Sequence, residues 1–292
     1  MKVYITGCRG QLGFDLLDVL KGKHELAGGD LPELDIADAS SLATALDAFR
    51  PDVIINAAAF TRVDACETER DAAHRANAVG PRLLAEYTER CGALLVHVST
   101  DYVFDGRRPV PQPYVETDPV GPTSAYGITK VEGEKAVAAA TRRFAILRTA
   151  WLYGVHGNNF LKTMLRLSLQ GKALKVVNDQ HGSPTWSWRL ARQIDKVIDH
   201  GARGLYHATA EGHCTWFELA RYFLERMGVP HKLSPCGTEE YPTPARRPAN
   251  SILENAALKR AGLNVMAPWA EDVDEFVKRY RERLLDEAGR AK

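Results

Sequence analysis

The start of the chain constrains its fold more than any other stretch. A short apolar run, residues 3–6 (Val-Tyr-Ile-Thr), leads directly into Gly7-Cys8-Arg9-Gly10-Gln11-Leu12-Gly13, and a segment of helical spacing, 11–21, follows. Gly7 and Gly10 let the backbone turn tightly and approach a pyrophosphate, and Gly13 lets the helix pack close to the strand. The N-terminus of that helix offers free amide donors to phosphate oxygens. A chain with 23 glycines will form such a triplet by chance. Its place at the first strand-to-helix turn gives this one meaning.

The remainder of the first half keeps the same rhythm. Short apolar runs at 24–28, 52–56, 94–98 and 144–147 alternate with helically spaced segments at 40–49, 70–91 and 125–140. Strand and helix repeating in turn predict an α/β, doubly wound parallel-sheet Rossmann fold. Past residue 150 the pattern shifts to helices at 159–169, 186–198, 216–227 and 271–285, with isolated strand candidates at 174–177 and 205–208. The expected organisation is an NAD(P)-binding Rossmann domain over 1–150. A smaller, partly helical substrate lobe, mainly 151–292, is interleaved with it. The three prolines at 242, 244 and 248 make that stretch extended.

Composition removes several classes. Thirty-eight Lys and Arg against 37 Asp and Glu leave a formal charge of +1, which argues against a nucleic-acid binder or a membrane-surface protein. Five widely spaced cysteines, with no Cys-x-x-Cys pair, support neither a disulfide framework nor a zinc module. No signal-peptide pattern and no apolar run near the ~20 residues of a membrane span occur, so a cytoplasmic protein is expected.

Two constellations carry the chemistry. Ser99-Thr100-Asp101 closes the fourth strand, and Tyr126 and Lys130 stand at i and i+4 on one face of the following helix. A phenol is a poor acid at neutral pH, near ~10, and an ammonium beside it would lower that value and strengthen the acid. Lys130 can also hold a nicotinamide ribose, and Thr100 can hydrogen-bond a carbonyl under reduction. Asp30, seventeen residues past Gly13, suits the adenosine ribose of NADH, whereas Arg9 could pair with the extra phosphate of NADPH. Either cofactor is therefore expected. The small run Ala57-Ala58-Ala59, with Phe60 and Thr61, leaves room for a flat cofactor at the end of the third strand. His181, His207 and His213 have no ligand-like spacing, and Trp186 and Trp188 read as packing residues.

Together these motifs resemble the extended short-chain dehydrogenase/reductases. Within them, Ser99 to Gly106 (STDYVFDG), Asn56 to Asp64 (NAAAFTRVD), Asn158-Asn159-Phe160, Asn178-Asp179-Gln180 and Tyr241 to Pro248 (YPTPARRP) are similar to the dTDP-4-dehydrorhamnose reductase family, over residues 1 to about 269. The resemblance implies NAD(P)H-dependent reduction of the 4-keto group of dTDP-4-dehydro-L-rhamnose, the last step of dTDP-L-rhamnose synthesis. It implies that Gly10, Gln11 and Leu12 line the pyrophosphate, Asp30 the ribose, and Asp35 with Ile36 the adenine. Ala59, Phe60 and Thr61 would border the cofactor, Tyr126 would donate the proton, and Lys130 would bind the cofactor. Thr100 and Asp101 would touch the sugar, and Trp151 would close over it. Arg246 and Arg247 are our own candidates for the sugar-nucleotide diphosphate, because paired arginines suit phosphate.

Some members of that family are dimers bridged by Mg²⁺ on acidic side chains. Here the corresponding positions fall on Asp15 and Trp188, so no ligand set is evident, no metal ligands are assigned, and a monomer or homodimer is expected. A dehydratase of the same superfamily needs a second acid after Thr100-Asp101, where this chain has Tyr102. An epimerase stays open. So does a non-catalytic role, since the chain also resembles the regulatory β subunit of methionine adenosyltransferase.

Overall fold

A computed structural model describes residues 1–290 of the chain. Its first half runs β1 (Lys2–Thr6), α1 (Gln11–Leu20), β2 (Glu25–Gly29), α2 (Ala39–Phe49), β3 (Val53–Asn56), α3 (Arg70–His74), α4 (Gly80–Cys91), β4 (Leu94–Thr100), α5 (Ala125–Ala140) and β5 (Phe144–Thr149). The second half adds β6 (Leu152–Tyr153), α6 (Phe160–Leu169), β7 (Ala173–Val177), β8 (His181–Gly182), β9 (Thr185–Trp186), α7 (Ser187–Asp199), β10 (Gly204–His207), β11 (Cys214–Thr215), α8 (Trp216–Met227), β12 (Lys232–Cys236), β13 (Asn250–Ser251), α9 (Ala256–Arg260) and α10 (Trp269–Arg290).

Six parallel strands in the order β2-β1-β3-β4-β5-β10 form the main sheet. A sheet covered on both faces wants strands that are apolar throughout, and β3 (Val-Ile-Ile-Asn) is buried at every position. On one face Ile5, Ile55 and Val96 pack against Leu16 of α1 and Leu190 and Ile194 of α7. On the other, Ile54, Leu95 and Ile146 meet Leu46 of α2 and Leu84 of α4. A separate core around Trp186, Tyr153, Phe223 and Phe276 holds the lobe built from α6, α8 and α10.

Two expectations need correction. The strand candidate at 205–208 is not isolated: β10 pairs in parallel with β5 as the sixth strand of the main sheet. With α7 packed beside α1, the chain past residue 150 thus begins the lobe with α6, returns to complete the nucleotide-binding layer with α7 and β10, and finishes the lobe with α8 and α10. The segment 70–91 is also not one helix. A π-helical turn, Arg75–Val79, separates α3 from α4. Pro81 is the cause: it has no amide for the carbonyl four residues back, which belongs to Asn77, and its ring clashes with a regular α path there. The released Asn77 carbonyl lies against Gly133 of α5, so closely that a Cβ at 133 would overlap it. Among the described residues no helix is long and apolar enough to cross a membrane, and all five cysteines are free.

Candidate active site

Winding from β1 outward reverses direction at β3, and the carboxyl ends of these two strands open a crevice where doubly wound sheets take their ligands. A cavity of about 700 Å³ extends from there to the lobe. The glycine loop forms its first wall. Gly7 has φ +69°, and a Cβ on it would stand 2.7 Å from the Ala58 amide nitrogen. Gly13 would overlap the Gly7 carbonyl with any side chain, which fixes how near α1 comes to β1. No side chain caps α1 at Gly10, its first turn holds no acid, and Gln11 and Leu12 line the cavity, so this end of the helix can take an anion.

Asp30 lines the cavity but already accepts amides from Arg9 (3.0 Å) and Leu31 (2.8 Å). It therefore shapes the glycine loop as well as offering a carboxylate. Arg9 reaches across to the Leu31 carbonyl and the Glu33 carboxylate, both exposed. Asp35 lines the same end and pairs with Arg75 at 3.1 Å, and Ile36 sits beneath Gly80, where a Cβ would fall 2.6 Å from its side chain. Ala57, Ala58, Ala59 and Thr61 face the cavity as expected. Phe60 and Gly13 do not: the Phe60 backbone is clamped by Asn77, whose side chain accepts its amide (2.8 Å) and donates to its carbonyl (3.1 Å).

That asparagine was not singled out in the sequence. It is fully buried and also donates to Thr129 of α5 at 3.1 Å, joining the alanine loop to the helix that carries Tyr126 and Lys130. Asn followed four residues later by Pro inside an apparent helix was the available signal.

Ser124 caps α5 by accepting the Gly127 amide (3.2 Å), which presents Tyr126 and Lys130 to the cavity. Burial holds the Tyr126 phenol well above its ordinary value, with the adjacent Thr100 hydroxyl pulling it back. The expectation that Lys130 would lower it needs correction in this state: the Lys130 ammonium donates to the Val98 carbonyl at 2.7 Å. Its own pKa falls to about 8 because burial penalises the charge, with Glu134 opposing the fall. Glu134 is itself engaged in a buried two-point pair with Arg148 at 2.9 and 2.6 Å. Thr100 donates to Asp101 at 2.8 Å, and burial raises the Asp101 carboxyl to about 6, against the pull of Ser251 and Thr100. The hydroxyls of Ser99 and Thr149, on neighbouring strands and lining the cavity, are buried with no partner. Buried polar groups are nearly always paired, and both of these hydroxyls are placed to bond a polar group entering the cavity.

Trp151 adopts φ +48° and stacks on Trp216 with centroids 3.6 Å apart and planes 8° from parallel. Gly182 lies under the Trp151 indole, which leaves no room for a side chain there. Trp216, not among the residues picked from the sequence, opens α8 behind a Thr215–Glu218 capping box and brings the lobe into the cavity wall. Gln11 accepts the Asn159 amide at 2.9 Å and ties the lobe to the glycine loop.

Neither Arg246 nor Arg247 lines the cavity. Arg247 pairs with Asp64 at 2.8 Å and donates to the Ala245 carbonyl, so it braces the proline-rich strap; Arg246 is exposed. Asp15 is buried, bonded to the Ser187 hydroxyl, and raised to about 6 by its burial. Trp188 stacks on Trp186 and lies 4.1 Å from the Arg279 guanidinium, a cationic surrounding.

The family described as RmlD substrate binding domain matches residues 1–282. A dTDP-4-dehydrorhamnose reductase from Clostridium acetobutylicum superposes with TM-score 0.93 at 43% identity, covering 96% of this chain and all of that one. The same enzyme from Bacillus anthracis, solved in complex with NADP, gives 0.92 at 39% identity over 95% of this chain and 99% of its own. A dTDP-4-keto-6-deoxy-D-glucose reductase of Streptomyces niveus is 40% identical over 91% of this chain and 92% of its own length. With matches of this extent on both sequence and fold, the chain belongs to the dTDP-4-dehydrorhamnose reductase family, the group defined by the RmlD substrate binding domain.

Proposed function

We propose that this protein is an NAD(P)H-dependent oxidoreductase that reduces the 4-keto group of dTDP-4-dehydro-L-rhamnose to dTDP-L-rhamnose. One observation carries the reading: Tyr126, Thr100 and Lys130 converge on a cavity whose other end is a glycine loop shaped for a dinucleotide. The Ser99 and Thr149 hydroxyls without partners and the uncapped start of α1 fit such a cofactor. Gly7, Gly10, Gln11 and Leu12 would hold its pyrophosphate, Asp30 its ribose, Asp35 and Ile36 its adenine, and Ala57, Ala58, Ala59 and Thr61 its flank. The bound nicotinamide supplies the hydride.

The chain's own residues do the rest. Tyr126 stays protonated at neutral pH because burial disfavours its phenolate, so a proton is available for the C4 oxygen as negative charge develops there. Lys130, still charged below about 8, turns from the Val98 carbonyl to stabilise the phenolate left behind and to anchor the ribose. Thr100 turns from Asp101 to the carbonyl and polarises it. Asp101 and Trp151 position the sugar, the lobe past residue 150 mainly binds it, and Arg246 is the better placed of the two arginines for the diphosphate, since Arg247 is engaged by Asp64.

The test is loss of reduced-nicotinamide absorbance with each 4-keto-6-deoxy sugar nucleotide. Turnover of the L-configured sugar well above the D-configured one supports the reading. Preference for the D sugar favours the chemistry named for the Streptomyces relative. No oxidation of either, with tight binding to a partner enzyme, favours a regulatory subunit.

A further inference from the structure

At the edge of the main sheet opposite the cavity, His24 stands between the end of α1 and the start of β2. Its side chain is only 6% exposed, yet neither ring nitrogen has a hydrogen-bond partner. A buried imidazole with both nitrogens unpaired is rare and needs an explanation. The ring points at α7: Nε2 lies 3.5 Å from Asp195 Oδ1 and 3.9 Å from Asp199 Oδ1. Asp195 and Asp199 are one helical turn apart, so their carboxylates share a face. Asp195 is 9% exposed, and its Oδ1 is also without a partner, while its Oδ2 takes the Lys23 ammonium.

We propose that His24, Asp195 and Asp199 bind one divalent transition-metal ion of the zinc class. One ligand atom from each lies within 4.8 Å of the others. A tetrahedral ion with bonds of 2.0–2.1 Å separates its ligands by about 3.3 Å, so the two distances from the imidazole need to close by only a few tenths of an ångström. The 3.5 Å separation is too long for a hydrogen bond, so the cluster has the spacing of ligands rather than of a bonded pair. An imidazole with two carboxylates suits Zn²⁺ better than Mg²⁺, which prefers an all-oxygen octahedron and keeps its water. Asp199 is 48% exposed, which leaves the fourth position open to water. The ion would join the α1–β2 corner to α7, outside the proposed reaction site. Lys23, 54% exposed, is the competitor for Asp195.

The experiment is calorimetric titration of chelator-treated, full-length protein with Zn²⁺, together with anomalous diffraction from zinc-soaked crystals. The wild type should take up one equivalent with an anomalous peak between the three side chains. Asp199→Asn, whose exposed site tolerates the change, and Asp195→Asn should each weaken binding about tenfold or more. Lys23→Met should tighten it severalfold. A wild type that binds no zinc, isotherms identical across wild type and both Asn variants, or a peak only elsewhere, such as at the exposed Cys91 thiol, would overturn the proposal.

Discussion

Replacing Gly133 by Ala tests whether the π-helical turn is a built part of the site. In an ordinary helix this change gains about 1 kcal/mol, because alanine is the better helix former. Here a Cβ at 133 would stand well under 3.0 Å from the Asn77 carbonyl oxygen, with the Asn77 carbonyl carbon at 3.3 Å and Pro81 Cγ at 3.6 Å behind it. The conflict is with backbone, so α5 must move away from the turn. Overpacking costs about 1–3 kcal/mol, and an obstacle that cannot rotate aside belongs at the upper end. The net loss is then about 2 kcal/mol. For a chain of this size that lowers Tm by about 3 °C. Turnover should fall too, because Asn77 holds both Phe60 and Thr129, and Thr129 shares α5 with Tyr126 and Lys130. Calorimetric melting beside Gly289→Ala is the assay. That glycine lies in α10 with nothing within 4 Å of a Cβ, so its replacement should hold or raise Tm. A Gly133→Ala protein as stable and as active as the wild type would refute the reasoning.

Other outcomes follow from the same geometry. Because kcat/KM reports the free enzyme, it should fall as pH rises through about 8, where Lys130 loses its charge, and Lys130→Arg should move or abolish that limb; an unchanged limb would assign it elsewhere. The same depressed pKa predicts the opposite sign for folding: the unfolded lysine keeps its proton to ~10.4, so this group's contribution to stability rises between about 8 and that value. Arg246→Ala should raise the KM for the sugar nucleotide with Tm unchanged. Arg247→Ala should also lower Tm, by removing the ion pair that ties the strap to Asp64; identical effects of the two would remove the distinction.

Much of this architecture could be read directly from the sequence where a local pattern has one structural meaning. The glycine loop, the short apolar strands and the helix carrying Tyr126 and Lys130 are of that kind, and α5 and α8 keep the limits that their spacing predicts. What escaped depends on distant parts of the chain. The apolar spacing of 70–91 continues through the π turn, so periodicity alone hides the break that Pro81 and the approach of Gly133 impose. β10 is a short run whose partner lies more than fifty residues earlier. Trp216 reads as one more apolar helix residue until the fold stacks it on Trp151. Arg247 looked free because Asp64, which holds it, is 183 residues away.

The central claim is that Tyr126 delivers a proton during reduction of a keto sugar nucleotide at this cavity. Single-turnover reduction of dTDP-4-dehydro-L-rhamnose by wild type and by Tyr126→Phe, at saturating NADPH and with cofactor affinity measured in parallel, tests it most directly. A lost general acid costs about 10²–10⁴-fold in rate, so the variant should bind cofactor normally and reduce the sugar more slowly by that factor. A variant that reduces the sugar at close to the wild-type rate would contradict the account.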